Sequence, residues 1–300
     1  MPAVAQSQRS WVSGTGNDAA DCSRAAPCQT FAGAFAKTAI AGEINCLDAA
    51  GYGVITITHS ISIVCDGMES GVVSNSTNAI VISTQNGDSV LISGLDISGT
   101  ANGFNGILIN GQGSIHLRNI SIHNMQNKGI RFETGGFVRL TLENALITNN
   151  GTPGDNSGGG IVVHPPYAFG APSLIMDHVR VINNIGAGLR VDTIGVPGST
   201  VHVTVDSSQF TGNTAGILVK IQSGASSAGV AVRNATISGN SFGIITNGLG
   251  ATVNIGNSLI TENGTALNTL QGGQLLSHGD NSLMMNTIDG VFSGTVVAKQ

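Results

Sequence analysis

Glu133, His164, Asp192 and Lys220 stand 31, 28 and 28 residues apart, each as the last letter of a five-residue phrase that opens with glycine. The phrases are Gly129-Ile-Arg-Phe-Glu133, Gly160-Ile-Val-Val-His164, Gly188-Leu-Arg-Val-Asp192 and Gly216-Ile-Leu-Val-Lys220. Two of them add a cation at the centre, Arg131 and Arg190. Carboxylates, an imidazole and cations brought within a few ångströms perturb one another's protonation, as general acid–base chemistry requires. In a chain with only 10% charged residues, that concentration is notable. The same residues also read as a solubilising, locally ion-paired face of little energetic value.

Proximity depends on what carries these phrases. Gly106-Ile-Leu-Ile-Asn110 and Gly243-Ile-Ile-Thr-Asn247 extend the series to six. A repeat of this length with strand-like alternation predicts a solenoid whose coils stack on one another. The second and fourth residues of each phrase then point inward, and the third and fifth point to solvent. The fifth positions form a line: Asn110, Glu133, His164, Asp192, Lys220, Asn247. The third positions form another: Leu108, Arg131, Val162, Arg190, Leu218, Ile245. Coils about 4.8 Å apart place Glu133 to Lys220 over three steps, a length that suits several sugars of a polymer.

Each coil continues with a second strand, as in Leu140-Thr-Leu-Glu-Asn144 and Val203-Thr-Val-Asp-Ser207, and a third such as Leu146-Ile147 or Thr236-Ile237. Asn150, Asn184, Asn213, Asn240 and Asn263 recur three residues after the third strand, and are expected to pass hydrogen bonds from coil to coil. Asn119, Asn144, His178, Ser207, Asn234 and Asn257 mark another turn. Insertions cluster beside His164: Thr152 to Gly159 before it, and Pro165 to Pro172, with Tyr167 and Phe169, after it. Both rings are candidates to stack on sugar, with Asn110 and Asn247 as polar binding residues at the ends of the line. The loops Ile194 to Thr200 and Gln222 to Ala228 continue that wall.

The remaining features bound the rest. Gly is 43 of 300 residues and hydrophobic residues make up 41%, enough for a core. A net charge of −5 gives no reason to expect nucleic acid, and no apolar run approaches the ~18 residues of a membrane span. Residues 1–300 read as one domain. Within it, 6–42 form a loop and capping helix, 43–286 the stacked coils and 287–300 a C-terminal cap. The cap helix is expected from Phe31 to Ile40, with Thr30 at its start and Gly42 at its end. Ala3-Val4-Ala5 has the form left near a signal-peptidase cut, which predicts a secreted or periplasmic protein. Cys22 and Cys28 flank a loop that a disulfide would close. Cys46 and Cys65, 19 apart, either bridge stacked coils or stay buried as free thiols.

The repeating apolar-x-apolar-x-Asn and apolar-x-x-Asn phrases resemble right-handed parallel β-helix proteins of the pectate lyase-like superfamily. Arg9-Ser-Trp-Val-Ser-Gly14, Ala26-Pro-Cys-Gln-Thr-Phe31 and Gly42-Glu-Ile-Asn-Cys-Leu-Asp48 are similar to its exported bacterial members of unassigned function. The resemblance implies an all-β right-handed parallel β-helix with a short N-terminal helix. It leaves chemistry open, because this architecture hosts lyases, hydrolases, epimerases and inert scaffolds. Ile175-Met-Asp-His178 echoes an aspartate–histidine motif of pectate lyases, yet its positions in the repeat make it structural.

Two functions are compatible with the face. One is a uronate-type polysaccharide lyase: Lys220, Arg190 or Arg131 takes the C5 proton or binds the carboxylate, Asp192 and Glu133 hold calcium, and His164 assists. Hydrolysis by Glu133 and Asp192 is its variant. The other is a non-catalytic surface scaffold or adhesin that binds glycan or protein through the same face.

Overall fold

Alternating apolar and polar residues wind the chain into a parallel β-solenoid. The computed structural model describes residues 6–100, 102–155, 157–221 and 226–298. Ala3-Val4-Ala5, Asn156 of the first insertion, 222–225 of the loop after Lys220 and the last two residues lie outside the described residues.

Nine of the described strands, from Ile55–Ile57 to Thr265–Leu270, form one parallel sheet that carries the glycine phrases. A second sheet, from Ser7–Val12 to Ser282–Met284, holds the other strands of each coil. Register is strict: Ile130 lies between Ile107 and Ile161, and Phe132 between Ile109 and Val163. All six side chains are fully buried. Each contributes about 1.5–3 kcal/mol by leaving water. A one-residue slip would turn them out, so the core fixes the register.

Two columns explain the repeat's spelling. Asn150, Asn184, Asn213, Asn240 and Asn263 are buried. The backbone N–H of Asn184 donates to Asn213 Oδ1 at 2.9 Å, and that of Asn213 to Asn240 Oδ1 at 2.9 Å. Asn213 Nδ2 donates to the Val181 carbonyl at 3.0 Å. Each amide therefore satisfies backbone groups of its neighbours where no water reaches. The phrase glycines lie against this column. A Cβ on Gly160 would stand 2.6 Å from the Gly188 carbonyl oxygen and 2.5 Å from Val181 Cγ1. Glycine is required there by close approach.

The other column bends the second sheet. Asn119, Asn144, His178, Ser207, Asn234 and Asn257 all have φ between 46° and 54°. Asparagine tolerates this left-handed region best among residues with a side chain. Asn144 Nδ2 donates to Asn119 Oδ1 at 2.8 Å, so this line too passes hydrogen bonds between coils, at the surface.

The N-terminal end differs from expectation. The helix spans only Phe31–Phe35, with Thr30 accepting from the Gly33 N–H at 2.9 Å. Residues Thr38–Cys46 are a strand, so Gly42 is no helix terminus. Thr38 Oγ1 donates to the Ala34 carbonyl at 2.7 Å and accepts from Ser10 Oγ at 2.9 Å, closing the helix early. The first coil has an edge to cover. Ser7–Val12, part of a stretch that reads as irregular, pairs with Glu43–Cys46 and covers it. At the other end the chain after Thr287 crosses the last coil. Ser293 N–H donates to the Leu275 carbonyl at 2.7 Å and Val297 N–H to the Ser277 carbonyl at 2.9 Å.

Both cysteine pairs are disulfides, Cys22–Cys28 and Cys46–Cys65. The second closes a loop of 19 residues across the first coils, which in the chain-entropy account stabilises by about 3 kcal/mol. Cys46→Ala with Cys65→Ala is expected to lose that amount in denaturant unfolding. A loss below about 1 kcal/mol would show the bridge to be incidental.

Candidate functional site

The charged phrases do stack. Asp192 pairs in register with Lys220, and Lys220 with Asn247. On the other side, Phe132, Val163 and Val191 are register partners, and His164 N–H donates to the Phe132 carbonyl at 2.9 Å. Glu133 N–H donates to the Ile109 carbonyl at 2.8 Å, which puts Asn110 at the start of the line. Glu133, His164, Asp192 and Lys220 therefore succeed one another on the outer side of one sheet.

Their states differ from what outward alternation predicts. Asp192 is only 5% exposed. Its Oδ1 accepts the Ile194 N–H at 2.8 Å and its Oδ2 accepts Arg190 Nε at 3.0 Å, with Arg190 Nη2 on the same oxygen. The turn after Asp192 folds back on the carboxylate and withdraws it from solvent. Val162, one coil earlier, is likewise buried rather than outward. Glu133 Oε1 stands 2.6 Å from Arg131 Nε as an ion pair. Each carboxylate is thus neutralised by the arginine two residues before it. The pair does not fit a calcium site: both Asp192 oxygens already hold N–H groups and Glu133 Oε1 is spent on Arg131, whereas calcium needs six or more oxygen donors. Among the described residues no group of three His, Cys, Asp or Glu is arranged to hold a metal.

His164 Nδ1 lies 2.9 Å from the Asp192 carbonyl oxygen. A carbonyl only accepts, so Nδ1 carries the proton and Nε2 is left for other partners. Lys220 lines a cavity of about 320 Å³ with Ile194, Asn247, Leu249 and Gln271.

One member of the cluster escapes the reading of the repeat. Lys128 precedes Gly129 and is half-buried. Burial, then the Arg131 guanidinium, push its ammonium below the usual lysine range, with Arg190 adding to this and Asp155 and Glu133 opposing. Its ladder partners are Asn105 and Gly159, so no periodic charge announces it. The only signal is three charges within six residues, Lys128, Arg131 and Glu133.

Tyr167 and Phe169 are 61% and 79% exposed. Each ring rests on a glycine of an adjacent coil. A Cβ on Gly135 would meet Tyr167 Cε2 at 1.8 Å, and one on Gly198 would meet Phe169 Cε1 at 2.5 Å.

Larger concavities follow the left-handed bend. One of about 930 Å³ is lined by Asp66, Asp96, Asn119 and Asn144, and one of about 740 Å³ by Asp206, Arg233, Asn257 and His278. Their carboxylates are engaged. Asp66 accepts Ser93 Oγ at 2.6 Å and Asn119 Nδ2 at 2.9 Å. Asp206 accepts Arg233 Nη2 and Asn234 Nδ2 at 2.5 and 2.7 Å. His178 stays in the bend at φ 53°, its Nδ1 2.8 Å from Asp177 Oδ1.

The hydrogen bond from Arg233, helped by Asn234, lowers the Asp206 carboxyl to about 2 from 3.8. A carboxyl depressed on folding stabilises above its unfolded value, and the gain is lost as pH falls from about 4 through about 2. Asp206→Asn is expected to flatten the fall in melting temperature over that interval. An unchanged slope would show that the pair does not hold in solution.

The sequence profile of the right-handed beta helix region matches residues 69–288. The chain belongs to the right-handed β-helix family. No curated protein sequence matches this β-helix. Among solved structures, pectate lyase Pel9A superposes with a TM-score of 0.67 at 16% identity, over 96% of this chain and 80% of that one. XylC in complex with xylose gives 0.58 at 10% identity, over 89% and 71%. An endo-xylogalacturonan hydrolase from Aspergillus tubingensis gives 0.51 at 13% identity, over 97% and 99%. At these identities the likeness shows the fold alone. No helix among the described residues is long and apolar enough to cross a membrane.

Proposed function

We propose that this β-helix acts on an acidic polysaccharide laid along the outer face of the nine-stranded sheet. The observation that carries the reading is the excess of cations there, four against the two carboxylates Glu133 and Asp192. Lys128, Arg131, Arg190 and Lys220 stand on one flank over four coils, while the carboxylates among them are tied to arginine. Polymers of uronate, with one carboxylate per sugar, match such a line. The three structural neighbours are named for a pectate lyase, a xylose complex and a xylogalacturonan hydrolase, which agrees with a glycan as ligand. The two disulfides fit an oxidising compartment outside the cytosol, where such polymers are met.

The chemistry that these side chains support is β-elimination. An amine removes the C5 proton, acidified by the neighbouring carboxylate. The C5–H electron pair becomes the C4=C5 double bond, and the O4 glycosidic bond breaks with its electrons staying on oxygen. That oxygen takes up a proton from water. Lys128 suits the base better than Lys220, because its surroundings favour the neutral amine. Hydrolysis by Glu133 and Asp192 is disfavoured, since Asp192 is buried and both its oxygens are held by the Ile194 N–H and Arg190, away from a substrate on the face.

The test is incubation with a panel of uronate polymers, with and without added calcium. Ultraviolet absorbance from the unsaturated product should rise on at least one polymer. No rise on any of them removes the lyase. The ion-paired state of both carboxylates favours a second reading, a non-catalytic glycan-binding scaffold, whose mark is binding at unchanged polymer length.

A further inference from the structure

Aromatic residues are scarce in this chain, with 9 Phe, 2 Tyr and 1 Trp. The three most exposed rings among the described residues nevertheless share one corner: Phe137 at 86%, Phe169 at 79% and Tyr167 at 61%. Phe137 opens the strand that follows Gly135 and Gly136, and its register partner is Ala171, two residues after Phe169. Tyr167 rests on Gly135 and Phe169 on Gly198, so the rings bridge three successive coils. Rings supported by backbone on one side and open on the other lose little freedom when a ligand covers them.

The position of the corner says what would cover it. Phe137 lies four residues beyond Glu133, and Tyr167 three beyond His164. The rings thus stand beside the charged line, where the strands end, and not on its continuation. A linear chain running along Glu133, His164 and Lys220 passes the corner without touching all of it. A sugar branching sideways from that chain reaches it. The rings bring apolar faces and no charge, which matches the C–H face of a neutral pyranose.

We propose that Phe137, Tyr167 and Phe169 form a side subsite for neutral pyranose branches, so that the preferred ligand is a branched acidic polysaccharide. This inference rests on the charged face being the backbone site. The test measures affinity by calorimetry for linear polygalacturonate, for galacturonan carrying neutral pyranose branches, and for the neutral branch sugar as a free oligosaccharide. The wild type is expected to bind the branched polymer about tenfold tighter than the linear one. Phe137→Ala with Phe169→Ala should remove that preference and leave linear binding unchanged; circular dichroism and melting temperature report retention of fold.

Equal wild-type affinity for branched and linear polymers overturns the proposal. So does an equal loss of both in the variant, which would make the rings supports of the loops. If linear polymer does not bind but the branched polymer and free oligosaccharide do, and binding depends on the rings, the backbone reading fails and the subsite stands. If none binds, both fail. A second copy or a protein partner on the corner is the remaining occupant. Sedimentation in which Phe137→Ala converts a dimer to a monomer would assign the corner to that instead and refute the sugar subsite.

Discussion

Asn213→Ala is expected to destabilise the middle of the solenoid by about 3 kcal/mol, because buried hydrogen-bonding groups left unpaired cost roughly 1–3 kcal/mol each. Asn213 Oδ1 accepts both the Asn184 N–H at 2.9 Å and Asn184 Nδ2 at 3.1 Å, and neither donor can reach water once it is gone. Asn213 Nδ2 also leaves the Val181 carbonyl. Solenoids unfold in neighbouring-repeat units, so the loss should appear locally. Hydrogen exchange should speed up in strands Ala187–Asp192 and Ala215–Lys220 before the N-terminal coils respond. Gly188→Ala gives an independent check on the same spot. Its Cβ would meet the Gly216 carbonyl at 2.9 Å and Asn213 Nδ2 at 3.0 Å, and overpacking of that kind costs about 1–3 kcal/mol. A uniform change over the whole molecule in both variants would contradict the ladder as a local clamp.

Lys128→Met is expected to lower kcat on a cleaved uronate polymer by about 10²–10⁴, the usual range for a lost general base, with a smaller change in KM. Lys220→Met should do the reverse, raising KM and weakening the salt dependence of binding while kcat changes little. Two pH effects follow from the lowered ammonium of Lys128. The alkaline rise of the rate should have its midpoint below 10.5, the ordinary lysine value. For stability, the unfolded chain binds the proton more tightly than the folded one. Lys128 therefore costs stability at low pH, and the cost fades as pH climbs toward 10.5. Lys128→Met should accordingly be more stable at neutral pH and less active. A variant that is both less stable and equally active would deny Lys128 any catalytic part.

The architecture was legible because it is periodic. Glycine phrases, buried asparagines and inward Ile, Leu and Val recur at spacings only stacked coils satisfy, and the register bears them out. What the sequence did not disclose is local. Asp192 looks like its outward neighbours, yet a turn that breaks the period places the Ile194 N–H on its carboxylate. Lys128 and Phe137 occupy positions where the other coils carry unrelated residues, so no column exposed them. The stretch 38–40 reads as the end of a helix from its own residues. Thr38–Cys46 becomes a strand because Ser7–Val12 and Ile61–Val64 offer backbone partners on both sides.

Everything functional follows from one assertion: acidic glycan lies on the outer face of the nine-stranded sheet. Amine footprinting addresses it without needing turnover. Of the chain's four lysines, Lys128 and Lys220 stand on that face, whereas Lys37 is held at the N-terminal end by the Ala20 carbonyl at 2.5 Å. Acylation with a small reagent, followed by peptide mass spectrometry, should show Lys128 and Lys220 protected by acidic oligosaccharide while Lys37 reacts as before. Unchanged labelling at both face lysines, with the oligosaccharide demonstrably bound, would move the site elsewhere.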